Sequence, residues 1–116
     1  MTRYDAHFTL QLIMFFNVLS TSDVKLEDAK NFRAFKVVVT RRNADLDMVR
    51  SALANIAVLP DRDTAWVSEQ ALRAWPEFAN DPLWQDALTA MIEKARPHGW
   101  VNDDNKTIKA HVEWPD

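Results

Sequence analysis

Apolar positions along the chain fall into blocks of different spacing, and each spacing predicts a different element. Leu83, Ala87, Leu88, Met91, Ile92 and Ala95 recur every three or four residues, the interval that lines one face of an α-helix. Asp81-Pro82 supplies its start, an N-cap and a first-turn proline, and Pro97 its stop. Leu46, Val49, Leu53, Ile56 and Ala57 predict a helix opened by Asn43 or Asp45, running to about Leu59 and ended by Pro60. Trp66, Val67, Leu72 and Trp75 predict another, capped by Asp63 and ended by Pro76. Near the end the period changes. Ile108, Ala110, Val112 and Trp114 alternate with Lys109, His111 and Glu113, which predicts a strand with one packed and one wet face. Trp100-Val101 pairs with it across Asn102-Asp103-Asp104-Asn105, a turn by composition.

The first forty residues satisfy both periods. A helix over about 6–20, capped by Asp5, places Phe8, Leu12, Phe15 and Leu19 on one side, with Leu10, Ile13, Met14 and Val18 covering the rest. Such a helix is apolar all round and must be covered on every side. A strand competes, because Phe8, Leu10, Leu12 and Met14 alternate with Thr9 and Gln11; helix is the favoured reading. Further on, Phe32, Phe35, Val38 and Val39 oppose Lys30, Arg33, Lys36 and Arg41 on a helical wheel, yet Val37-Val38-Val39-Thr40 is β-branched. A helix over about 25–36 running into a short strand fits equally well. Helix against strand stays open for residues 8–19 and 36–40. The expected fold is therefore mainly α, four to five helices with a C-terminal β-hairpin. It forms a single domain over 1–116, with apolar and basic segments at about 6–42 and helices plus hairpin at about 45–114.

The order helix, helix, two-stranded wing over about 45–114 resembles the winged-helix domains, many of which read DNA. The resemblance rests on the order of elements. It implies that the 81–96 helix is the recognition helix, presenting Trp84, Gln85, Asp86, Thr89, Glu93 and Lys94, with Gln85 and Thr89 placed to touch base edges. Charge opposes that function. Asp86 and Glu93 on the helix and Asp103 and Asp104 at the wing tip would face phosphate, and base contacts need phosphate contacts to position them.

Composition narrows the remaining classes. The absence of cysteine excludes disulfides, thiolate nucleophiles and cysteine-held zinc. A single glycine, Gly99, excludes phosphate loops built on several glycines. The apolar run Phe8–Leu19 is shorter than the ~20 residues of a membrane span, and it lacks a cleavage pattern, so it reads as part of the mature fold of a cytoplasmic protein with no membrane contact. His7, His98 and His111 follow no metal-ligand spacing, although His98 and His111 can approach across the hairpin base. Serines Ser20, Ser22, Ser51 and Ser68 sit in no nucleophile context, and no carboxylate pair is marked by an apolar setting. No enzyme, cofactor or metal is expected.

Charge is unevenly spread. Residues 29–44 carry Lys30, Arg33, Lys36, Arg41 and Arg42 and no acid, whereas 77–116 carry eight acids and four bases, a net of −4. A basic face can bind phosphate or an acidic protein surface, although it is more often simply solvated. Among five tryptophans, Trp84 lies off the apolar stripe of its helix and is the expected exposed one, a common interface anchor. The function these features favour is a small non-enzymatic protein-interaction module, regulatory or adaptor-like and self-associating as a homodimer. It would bind its protein partner through Phe8, Leu12, Phe15 and Trp84 and through the basic face Lys30, Arg33, Lys36, Arg41 and Arg42. A winged-helix-type DNA-binding regulator is the alternative, with nucleic acid disfavoured by the acidic C-terminal part.

Overall fold

The computed structural model describes residues 13–115. Seven strands join in one sheet: β1 (Met14–Ser20), β2 (Asp23–Glu27), β3 (Phe35–Val39), β4 (Ala57–Val58), β5 (Thr64–Ser68), β6 (Val101–Asn102) and β7 (Thr107–Glu113). Three helices accompany them among the described residues: α1 (Leu46–Ala52), α2 (Glu69–Arg73) and α3 (Pro82–Ala95), the last continued by a 3-10 turn over Arg96–His98. The architecture is mixed α/β, which overturns the expected mainly α fold of four to five helices. The order helix then hairpin is present in α3, β6 and β7, but β7 also pairs with β3 and β5.

The strand order is β2-β1-β3-β7-β5-β4, with β6 also on β7. β1 and β3 are parallel, as are β3 and β7; the other pairs are antiparallel. One face is the core face. Register sets Phe16 beside Leu26 and Val37, Val37 beside Val112, Ala110 beside Ala65, and Ile108 beside Val67. All of these side chains are buried. The helices add Val49 and Leu53 from α1, Leu72 from α2, and Trp84, Leu88, Met91 and Ile92 from α3.

Two expected helices are replaced by strands. β1 is hydrogen-bonded on both edges, to β2 and β3. Met14, Phe16 and Val18 are fully buried, while Phe15, Asn17 and Leu19 on the other face are half-buried. A strand covered on both sides reads as a continuous apolar run, which mimics a buried helix. The part of the favoured 6–20 helix before residue 13, including Phe8 and Leu12, lies outside the described residues. The 25–36 helix is replaced by β2, a turn and β3, where Val37-Val38-Val39 follows its β-branched preference. In β5, Ala65 and Val67 point inward between half-buried Thr64, Trp66 and Ser68, so the expected helix from Asp63 shrinks to α2 behind a Ser68 cap. Asp45 does cap α1, accepting from the Met48 N–H, but the helix ends at Ala52 and the chain turns into β4.

α3 keeps its predicted start. The Asp81 carboxylate accepts from the Trp84 N–H at 3.1 Å, and Pro82 occupies the first turn. Its inward stripe keeps Leu88, Met91 and Ile92 of the expected one and differs in the first turn. Trp84, Leu88, Met91 and Ile92 are buried at i, i+4, i+7 and i+8, whereas Leu83 is 80% exposed. Trp84 is therefore core, 3% exposed, correcting its expected place outside. Its ring stacks on Phe78 at 4.7 Å, and its indole N–H donates to the Ala29 carbonyl at 2.7 Å. A buried indole requires such a partner.

Candidate cleft between two strands on one edge

β7 is paired differently along its length. β5 holds one edge from Thr107 to His111. The opposite edge is shared: β6 pairs with Thr107 and Ile108, and β3 takes over only at His111. β6 runs antiparallel to β7 and β3 runs parallel, so Trp100 and Phe35 flank a notch beside Lys109 and Ala110. The Trp100 carbonyl closes the β6 side by accepting from the Lys109 N–H at 2.7 Å.

The notch opens a cleft of about 530 Å³, within the ~300–1,000 Å³ range of ligand sites. Phe32, Phe35, Met91, Ala95 and Ile108 give it an apolar interior on the helix side of the sheet. Lys109 and His111 belong to the opposite face, with Thr64 paired to His111 and Asp63 just before β5. The lining thus draws on residues of both sheet faces, where the partner on this edge of β7 changes from β6 to β3. Local chemistry fixes its walls. Asp61 accepts from the N–H groups of Asp63 and Thr64 and turns the chain into β5. Phe35 packs edge-on against Phe16 at 5.7 Å, and Phe32 lies 5.8 Å from Trp84. Gly99, at φ 77°, makes the left-handed turn that carries Trp100 from the 3-10 turn to β6. His98 stacks on Trp100 with centroids 4.4 Å apart and holds that ring at the rim, 47% exposed.

The cleft is cationic. Arg33, Lys94 and Lys109 line it against one carboxylate, Asp63, in a chain whose formal net charge is −3. None of the three cations forms an ion pair with another described residue. Lys36, Arg73 and Arg96, by contrast, are paired with Glu113, Glu69, and Glu93 plus Asp103.

The sequence-derived site residues are dispersed. Arg33 enters the cleft. Lys30 is exposed in the turn before it, Lys36 is tied to Glu113 at 2.9 Å, and Arg41 and Arg42 lie in the loop after β3. At ~3.3 Å per residue, β3 separates Arg33 from Arg41 and Arg42. The expected basic helix face is therefore a string of cations running from one end of a strand to the other. Phe15 is half-buried in β1, and Trp84 is core. Trp100 is the exposed tryptophan, and its position next to the lone glycine was the available signal. His98 and His111 both line the cleft. Among the described residues, no three of His, Cys, Asp and Glu are grouped to hold a metal. No helix among them is long and apolar enough to cross a membrane. Comparison of the chain with family models, curated proteins and solved structures found no match.

Proposed function

We propose that this chain is a small non-enzymatic interaction module of regulatory or adaptor type, which captures an acidic segment of a partner protein in the cleft beside Trp100. The observation that carries the reading is the gathering of Arg33, Lys94 and Lys109 around an apolar cavity in an otherwise acidic protein. Charge of one sign, borne by separate elements, attracts and orients a ligand. Each exposed ion pair contributes only about 0.2–1 kcal/mol and weakens with salt. Affinity then rests mainly on apolar burial within the cleft, while the cations set the association rate and the choice of partner.

The test is fluorescence anisotropy with labelled acidic peptides and their lysine counterparts, across a salt series. The acidic peptides should bind more tightly, lose affinity with salt, and be rejected by a Lys94→Glu, Lys109→Glu double variant. Equal binding of acidic and basic peptides at low salt would overturn the reading.

A further inference from the structure

We infer that the acidic segment carries an aromatic side chain flanked by carboxylates, with the ring seated in the notch between Trp100 and Phe35. This rests on the reading above and specifies the chemistry of the partner.

Three observations point to a ring. The interior is built from Phe32, Phe35, Met91 and Ile108, surfaces that suit a flat apolar group, and a methionine sulfur adds affinity for an aromatic edge. Trp100 is 47% exposed, and His98 stacks against its ring and favours that rim orientation. A ring held by its neighbour is a prepared wall, with little left to order on binding. The cavity of about 530 Å³ also has room beyond the small side chains that a purely electrostatic patch would accept.

The placement of charge says where the carboxylates lie. Arg33 precedes β3, Lys94 sits in the last turn of α3, and Lys109 projects from β7 on the far face of the sheet. The cations reach the lining from three separate elements. A segment that meets all three carries acid on both sides of its ring. Asp63, the one carboxylate of the lining, marks the side where a further acid is repelled.

Four synthetic peptides decide the matter: acidic with a central tryptophan, acidic with alanine in its place, and tryptophan flanked by serines or by lysines. The acidic tryptophan peptide should bind about tenfold or more tightly than the alanine form, the effect of burying one large apolar side chain. The serine and lysine forms should bind progressively more weakly. The Trp100 indole N–H resonance should move on titration with the tryptophan peptide and stay still with the alanine form. Trp100→Ala, checked for fold by circular dichroism, should narrow the tryptophan-to-alanine gap to about threefold or less. If both acidic peptides bind alike and the Trp100 resonance is unmoved, the ring inference falls while the acidic-partner reading survives. If the lysine-flanked peptide binds best, or no peptide binds, both fall.

Discussion

Replacing Trp84 by alanine tests whether this residue belongs to the core or to a surface. The ring is 3% exposed, stacks on Phe78 at 4.7 Å and an interplanar angle of 14°, and hydrogen-bonds the Ala29 carbonyl. Truncating a buried tryptophan to alanine costs about 3–5 kcal/mol. The stranded Ala29 carbonyl, on a residue itself only 8% exposed, adds about 1–3 kcal/mol where water cannot reach it. Against a total stability of about 5–15 kcal/mol, the loss is a large fraction. Urea unfolding followed by far-UV circular dichroism measures it, since four other tryptophans confuse fluorescence. With a slope of about 1.5 kcal/mol per M, the combined loss of about 4–8 kcal/mol should lower the midpoint by about 3–5 M. Trp84→Phe keeps most of the ring and isolates the hydrogen bond, so it should fall by less than half as much. A Trp84→Ala midpoint that moves by less than the equivalent of about 0.5 kcal/mol would refute the reasoning, because surface substitutions behave that way.

Two further outcomes follow from local contacts. Asp81→Ala removes the acceptor for the Trp84 N–H and should cost about 1 kcal/mol, largely restored by Asp81→Ser; urea midpoints of the two variants check it. Asp103 accepts hydrogen bonds from the Arg96 guanidinium, which hold its carboxyl below the ordinary carboxylate range. Its folded value is lowered, so whatever it contributes is present above the unfolded value and lost as pH falls through the folded one, on the acid side of about pH 4. Carboxyl-detected NMR should show the Asp103 midpoint rising in Arg96→Ala, and an unchanged midpoint would remove the contact as its cause.

The legible parts of the fold are those where one strong local signal acts alone. Asp81-Pro82 announced α3, Asp45 announced α1, and the alternation of Ile108, Ala110 and Val112 announced β7 and its inward face. The illegible parts are those where neighbours decide. Phe15-Phe16-Asn17-Val18 looks helical because β1 carries apolar residues on both faces, one buried and one half-buried, while its edges are taken by β2 and β3. Leu83, adjacent to Trp84, fitted the apparent stripe of α3 as well as Trp84 does, so the sequence pattern reversed which of the two faces water. The cleft was hidden more deeply. It draws on residues 32–35, 63–64, 91–100 and 108–111, and no spacing in the chain connects these segments. Arg33 was visible as a cation and Trp100 as an aromatic beside a turn, but only the split pairing of β7 brings them together.

The position of β7 also bears on how the protein is made. It is the last strand among the described residues, yet it sits between β3 and β5. While the chain is being synthesised, the β2-β1-β3 group and the β5-β4 pair have no common strand until residues 107–113 emerge. Until then, the facing edges of β3 and β5 are both open templates, the arrangement that favours association with other nascent chains. Closure requires contacts spanning most of the sequence, so folding should be slow for a domain of this size. The strand order thus predicts that chains truncated before residue 107 associate more readily than the full chain.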